Sequence, residues 1–453
     1  MQSKLFQKFK NFLSVEQTPL SGLPAFGRMD DNFRPLLKPA LYSFFMYIVA
    51  ISAILRANFN YVDDMGRSLS GYRIWDTSSR YVNQWLSVLL HTDNHLTDIS
   101  PLTQVLAAGV IAAGSVALVY ILSDGRVTVP KLIAALPLGL SPYFLCCISY
   151  KFDAPYMAMS VTASIVPFVF ANSRRWLFGA VSVGCLLVMC MSYQASSGIY
   201  IMLLIVLCFR EWNEKGQRSR DGVKFLLYGG ALYVLSLLIY KLFFMHPVNS
   251  YYSTDLFPPA AFLPGVAANL GKYISSIEAA SNPLWTALTI AVAVLFVVVL
   301  VANSKRRRAA ALFSSLGILA LMFFVSYGIY LAMQGPQFAT RALLGAGALL
   351  AVLCVTAVRV RPRPLALPVF ALCWCFFVFS FTYGNALAEQ KDYVDFRTDI
   401  LAADLGRAFP TEDLTKMTMR IEGTAGYAAP IEKNIALRYP VIKTMVPVQL
   451  CST

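Results

Sequence analysis

The stretch that decides the fold comprises residues 39–56, PALYSFFMYIVAISAILR, and the segment that follows at residues 60–68, NYVDDMGRS. The first is an apolar run of about 18 residues, which is long enough for a helix that crosses a membrane. The second places two adjacent carboxylates, Asp63 and Asp64, and the guanidinium of Arg67 just after that helix ends. In so apolar a chain, charged side chains gathered at one membrane surface form a candidate active site.

The composition of the 453 residues is that of a membrane protein. Hydrophobic residues make up 57% of the chain and charged residues 14%, against roughly 25% charged residues in an average soluble domain. We therefore predict an all-α integral membrane protein with about eleven transmembrane helices. The predicted spans are residues 39–56, 101–123, 130–148, 156–172, 176–191, 197–209, 224–245, 284–303, 309–333, 340–358 and 365–384. The pair 176–191 and 197–209 has an alternative interpretation as one bent hairpin.

The distribution of charge predicts the orientation of these spans. With the N-terminus in the cytoplasm, the cytoplasmic segments hold 22 of the 38 Lys and Arg residues but only 7 of the 24 Asp and Glu residues. Basic residues in short loops keep those loops on the cytoplasmic side. The net charge of +14 is thus explained by topology, and we expect membrane lipids, and no nucleic acid, as the contacts of these basic loops. Asp63 and Asp64 then face the extracytoplasmic side.

The ionisable residues are absent from the middle of every predicted span, which argues against an ion-coupled carrier. They gather instead in the predicted outer loops, of which the first runs from about 57 to 100 and contains an amphipathic helix over residues 77–91 that is expected to lie in the interface. Only three histidines are present and the nine cysteines lack metal-site spacing, so we expect no metal site and no disulfide framework.

Carboxylates, basic residues and aromatic rings at one membrane surface suit a sugar attached to a lipid phosphate. A carboxylate can accept the proton of an attacking hydroxyl, and Arg or Lys can hold a phosphate leaving group. Each element also has a simpler interpretation. Asp63 or Asp64 can cap the following helix, Lys151 and Asp153 can form a surface ion pair, and Tyr72 can belong to the aromatic belt at the interface.

Five segments together resemble the serotype-converting, Gtr-type O-antigen glucosyltransferases of bacteria and their phages. They are YVDDMGRSLSGY at 61–72, DISPLTQ at 98–104, SPYF at 141–144, SYKFDAPYMA at 149–158 and SYQASSGIY at 192–200. They follow one another in order through most of residues 57–205. The second half of the chain is similar mainly in hydropathy, and residues after 385 show no clear similarity.

The resemblance implies a GT-C membrane glycosyltransferase that acts on the outer face without a cofactor. It implies transfer of glucose from undecaprenyl-phosphate glucose to a sugar of the O-antigen of lipopolysaccharide, with inversion and with an acidic residue of the first loop as general base. We expect that base to be Asp63, with Asp64 as base or as a group that orients the acceptor. The expected donor-phosphate residues are Arg67, Lys151 and Arg341. The expected sugar and acceptor pocket comprises Asp153, Tyr193, Tyr72 and Arg73.

Three segments are predicted along the chain: a cytoplasmic amphipathic N-terminus (1–38), a multi-pass GT-C-like transmembrane domain (39–384) and a periplasmic C-terminal segment (385–453). The expected location is the bacterial inner membrane, with the N-terminus in the cytoplasm and the C-terminus in the periplasm. Two alternatives remain. One is another polyprenyl-phosphate-sugar transferase, and the other is a lipid-linked saccharide flippase or polymerase.

Overall fold

The computed structural model describes residues 29–216, 218–246, 255–411, 413 and 422–449. The first 28 residues of the predicted N-terminal segment lie outside this range. Helices joined by loops make up the described residues. The only β-type pairing among them is an isolated bridge between Leu256 and Met333. The all-α part of the prediction is confirmed for the described residues.

Eighteen α-helices follow one another in the described part of the chain. They are α1 (Met29–Ala57), α2 (Asp63–Ser70), α3 (Tyr81–His91), α4 (Leu102–Leu122), α5 (Val129–Ala134), α6 (Pro137–Leu140), α7 (Pro142–Ile148), α8 (Ala154–Ile165), α9 (Arg175–Cys190), α10 (Ser197–Asn213), α11 (Ser219–Ile239), α12 (Phe262–Ala279), α13 (Pro283–Ala302), α14 (Arg308–Ser326), α15 (Leu344–Ala357), α16 (Leu367–Ala408), α17 (Ala436–Arg438) and α18 (Ile442–Met445). The helix predicted at 77–91 is present as α3.

Seven helices in the described residues are long and apolar enough to cross a membrane, or eight if a bent pair over 129–140 and 142–148 is one span. The prediction of eleven complete spans is therefore not confirmed. The predicted runs 156–172, 176–191 and 340–358 correspond to shorter apolar helices, Ala154–Phe170, Arg175–Cys190 and Leu344–Ala357. At 1.5 Å per residue, a helix of this length falls short of the roughly 30 Å hydrocarbon layer.

Small residues let the central helices approach closely. A Cβ atom on Gly384 of α16 would lie 2.4 Å from the backbone of Ala53 in α1, and one on Gly345 of α15 would lie 1.7 Å from the carbonyl oxygen of Ser326. Either contact is far closer than the packing of heavy atoms allows. Helix α16 continues without a break to Ala408, so the predicted boundary between 384 and 385 falls inside it.

The two ends of the bundle differ in chemistry. At one end, Arg210 binds Asp124 at 3.1 Å and Arg359 binds Glu214 at 2.9 Å; we call this end the basic face. At the other end, residues 58–101 contact residues 149–153 and Tyr193, and Tyr150 and Tyr193 in turn contact Arg341; we call it the first-loop face. Residues 422–449 pack onto the first-loop face, where Ile431, Val441 and Met445 are completely buried.

Candidate active site

Asp64 holds the first loop to the loop that precedes α8. Its side chain is 0% exposed, and its carboxylate accepts hydrogen bonds from the backbone N–H groups of Tyr61 (3.2 Å), Lys151 (2.9 Å) and Phe152 (3.4 Å). The pKa of this carboxyl is raised to about 8, chiefly because the group is buried; the Lys151 N–H opposes the shift, and the nearby carboxylate of Asp153 adds to it. Asp64 thus links two segments far apart in the sequence.

Asp63 has the opposite environment, because its side chain is exposed on the first-loop face. It is the first residue of α2, whose N-cap is Val62 and which has no side-chain capping hydrogen bond. Asp63 does not therefore act as the cap that the simpler interpretation supposed. Of the two predicted carboxylates, it is the one that an acceptor can reach.

Arg67 and Asp153 form an ion pair in which about 5% or less of either residue is exposed. The second oxygen of Asp153 accepts a 2.5 Å hydrogen bond from the Trp75 indole N–H, and the Arg67 guanidinium lies 4.4 Å from the centre of the Trp75 ring. The structure therefore brings Arg67 and Asp153 together, as one buried unit. Neither group points an unpaired charge at a substrate.

Lys151 is paired as well. Its Nζ donates to Asn60 Oδ1 at 2.8 Å and to Asp98 Oδ2 at 2.9 Å. The ammonium group is buried, while about a third of the Asp98 side chain is exposed. The ion pair of Lys151 with Asp153 that the sequence suggested is replaced by this pair with Asp98. Two of the three predicted donor-phosphate cations thus have carboxylate partners.

Arg341 differs from those two cations. It lies in the 3₁₀ turn Thr340–Ala342, and its guanidinium stands 4.8 Å from the centre of the Tyr150 ring. No ion pair of Arg341 occurs in the described part of the chain. Its positive charge is therefore available to an anion.

Tyr193 connects Arg341 to a second arginine that the sequence analysis did not assign to the site. The Tyr193 hydroxyl donates to the Arg341 carbonyl oxygen at 3.4 Å, and the Arg80 guanidinium lies 5.0 Å from the Tyr193 ring centre. Arg80 Nε is buried without a hydrogen-bond partner among the described residues, where Arg80 also has no ion pair. Since Tyr193 and Arg80 are far apart in the chain, no spacing pattern could have revealed this pair.

Arg73 and Tyr72 are not brought into this group. Arg73 donates to the Gln84 carbonyl oxygen at 3.0 Å and to Asn94 Oδ1 at 2.9 Å, both within the first loop. Tyr72 is half-buried beside it. The hydrogen bonds of Arg73 therefore tie it to the packing of the loop around α3.

A cavity of about 90 Å³ lies next to the chain segment that carries Asp63, although the Asp63 side chain is not part of its lining. Its lining includes Val62 and Met65, which flank Asp63 and Asp64 in the chain, and residues of α16 and of the C-terminal segment. The full lining is Phe59, Asn60, Val62, Met65, Lys391, Val394, Asp395, Pro447 and Gln449. An exposed carboxylate, a partly polar cavity and two arginines without carboxylate partners therefore share the first-loop face.

Comparison with known proteins identifies the family. The family model described as Glucosyl transferase GtrII matches residues 52–355. A protein of Salmonella phage P22, described as an uncharacterized 55.3 kDa protein in the gtrB 5' region, is 24% identical over 404 residues, covering 85% of this chain and 82% of its own length. No solved structure matches the chain.

The matched range contains Asp63, Arg80, Lys151, Tyr193 and Arg341 and covers about two thirds of the chain. It ends before α16, so Lys391, Asp395 and the C-terminal segment lie outside it. The resemblance noted from the sequence motifs is confirmed: the chain belongs to the glucosyl transferase GtrII family and is a glycosyltransferase.

Proposed function

We propose that this protein moves glucose from undecaprenyl-phosphate glucose to a sugar of the O-antigen of lipopolysaccharide, on the periplasmic face of the bacterial inner membrane. The observation that carries the proposal is the position of Asp63, whose exposed carboxylate lies on the face that also holds a cavity lined by its neighbour Val62, together with Arg80 and Arg341. The match to a glucosyl transferase family supports glucose as the sugar that is transferred.

The proposed chemistry is a single displacement with inversion. Asp63 accepts the proton of the acceptor hydroxyl, and the oxygen attacks the anomeric carbon of the donor glucose. The bond between that carbon and the phosphate oxygen breaks, and the electron pair leaves with undecaprenyl phosphate. Arg80 and Arg341 stabilise the charge of this leaving group, because guanidinium groups bind phosphate oxygens in a bidentate manner.

The buried polar groups have a different part in this proposal. The Arg67–Asp153 pair, the Lys151–Asp98 pair and Asp64 fix the first loop against residues 149–153. They act as positioning residues, since a site must hold its reacting groups within a fraction of an ångström. This reassigns Arg67 and Lys151 from phosphate binding to the support of Asp63.

The acceptor sugar is proposed to enter the cavity beside Asp63. Asn60, Lys391, Asp395 and Gln449 supply hydrogen-bonding groups to its wall, as sugar hydroxyls require. Three of these four residues lie beyond the range that the family model matches. Cavity-lining residues that lie outside the family-matched range suit a function that differs between family members, such as the choice of acceptor.

Comparing the surface polysaccharide of cells with and without the gene tests the function. Mass spectrometry is expected to show one added hexose per repeat when the gene is present. A change in chain length without a hexose increment would instead favour the polymerase alternative. Transfer to lipid A or to a teichoic-type polymer would leave the O-antigen unchanged and would favour another polyprenyl-linked transferase.

Cysteine labelling tests the orientation. A cysteine at Ser70, on the first-loop face, is expected to react with a membrane-impermeant thiol reagent in spheroplasts, and one at Ser219, at the start of α11, is expected not to react. A cysteine at Ser250, which lies outside the described residues, is also expected to react. Labelling at Ser219 but not at Ser70 would reverse the orientation and contradict the periplasmic site.

A further inference from the structure

The outward face of α11 carries an apolar groove of about 550 Å³. Its wall comprises Ile201 of α10 and eight residues of α11, namely Leu226, Leu227, Gly230, Ala231, Tyr233, Val234, Leu235 and Leu238. From 226 to 238 the helix rises about 18 Å. Leu227, Val234 and Leu238 are at least half exposed, so the groove opens away from the protein on a helix that is apolar and long enough to cross a membrane.

The groove ends at Leu238, two residues before a tyrosine that contacts the chain neighbours of the proposed phosphate site. Two residues after Leu238, the hydroxyl of Tyr240 accepts a 2.9 Å hydrogen bond from Gln194 and donates to the Ser79 carbonyl oxygen at 3.3 Å. Ser79 precedes Arg80, and Gln194 follows Tyr193. The apolar groove therefore leads to the residues on either side of the Arg80–Tyr193 contact.

Gly230 keeps the groove open. A Cβ atom on Gly230 would meet no other heavy atom within 4 Å, whereas one on its neighbour Gly229 would lie 2.6 Å from the Leu204 side chain. Close packing thus explains why residue 229 is glycine, but it does not explain residue 230. Glycine at 230 still lowers helix stability by about 1 kcal/mol relative to alanine. Any side chain at 230 would project into the groove.

We propose that this groove binds the isoprenoid chain of the lipid-phosphate donor while Arg80 binds its phosphate. The inference rests on the proposed donor and adds where its lipid is held. One molecule with a long apolar chain and a terminal phosphate matches both the apolar wall and the cation at its end. The groove then sets how the anomeric carbon is presented on the first-loop face, because the chain fixes the position of the phosphate.

The test compares Gly230→Phe with Gly317→Phe in the full-length protein. Gly317 lies on α14, and a Cβ there also meets no heavy atom within 4 Å, so the control adds the same side chain in open space. Each variant is assayed with undecaprenyl-phosphate glucose and with a donor of two isoprene units. Gly230→Phe is expected to raise the KM for the long donor by about tenfold or more, equivalent to about 1.4 kcal/mol, and to leave the KM for the short donor within about twofold.

Other outcomes are distinguishable. If Gly230→Phe and Gly317→Phe had the same KM for the long donor, the groove would hold only ordinary membrane lipid, and the inference would be overturned. An equal rise for both donors would show that the variant disturbs the site itself and would overturn it as well. If the wild-type protein transferred glucose from neither donor, the proposed function would fail, and the inference that rests on it would be overturned with it.

Discussion

Asp63 and Asp64 are neighbours in the chain, yet the first carboxylate is exposed on the first-loop face and the second is completely buried. The buried one accepts hydrogen bonds from three backbone N–H groups. Two identical side chains therefore have different environments, and we propose that the exposed one acts in the chemistry while the buried one holds the loop that presents it.

Asparagine at each position separates the two tasks. Asp63→Asn is expected to lower glucosyl transfer by roughly 10²–10⁴-fold, the usual contribution of a general base, with unchanged thermal stability in detergent. Asp64→Asn keeps an acceptor oxygen for the backbone N–H groups and is expected to lower transfer by less than about tenfold. Asp93→Asn, an exposed acid of the same loop, is the control. Near-wild-type transfer by Asp63→Asn would exclude Asp63 as the base.

This division shows where reasoning from the sequence succeeds and where it ends. Hydropathy locates each apolar helix, and the motif at 61–72 locates the candidate site, because both signals are local. Which carboxylate is buried depends on Lys151 and Phe152, nearly ninety residues away. The role proposed for Arg80 likewise rests on its contact with Tyr193, more than a hundred residues away. The number of complete spans also differs from the prediction, because the apolar runs that contain α8, α9 and α15 form helices too short to cross the membrane.

The buried carboxyl of Asp64 predicts a pH-dependent stability. Its pKa is raised from 3.8 to about 8 in the folded protein, so between these values the folded state holds a proton that the unfolded chain releases. Stability from this group is then lost as the pH rises toward 8. Asp64→Asn has no such proton. The melting temperature of this variant is therefore expected to rise relative to that of the wild type as the pH increases from 5 to 8. A constant difference over this range would contradict the prediction.

The Arg67–Asp153 pair predicts a non-additive double mutant. Removing one member of a buried ion pair leaves an uncompensated charge and costs about 3–5 kcal/mol, so Arg67→Met and Asp153→Asn are each expected to destabilise the protein strongly. The double variant has neither charge and retains an oxygen for the Trp75 N–H, so it is expected to be more stable than Arg67→Met alone. Thermal unfolding in detergent measures this, and simple addition of the two single effects would exclude the coupling.

Arg80 and Arg341, neither of which has an ion-pair partner among the described residues, predict an effect on the donor alone. Arg80→Gln and Arg341→Gln are each expected to raise the KM for the lipid-linked donor by about tenfold or more, because a charge-assisted hydrogen bond contributes about 1.5–3 kcal/mol. The KM for the acceptor is expected to change little. Arg438 offers a matched control, since its guanidinium also lies over a tyrosine ring, at 5.4 Å, but it is exposed. If Arg438→Gln raised the KM for the donor equally, the effect would come from loss of a cation–π contact and not from loss of phosphate binding.

The cavity beside Asp63 predicts an effect on the acceptor alone. Lys391 and Asp395 are one turn apart on α16 and both line the cavity, whereas Asp392 on the same helix is exposed and does not. Asp395→Asn and Lys391→Gln are expected to raise the KM for the acceptor polysaccharide by about tenfold, the loss of one hydrogen bond to a charged group, and to leave the KM for the donor unchanged. Asp392→Asn removes the same charge one turn away and is expected to alter neither. If Asp395→Asn and Asp392→Asn behaved alike, the acceptor would not bind in this cavity, and the C-terminal segment would serve only to cover the first-loop face.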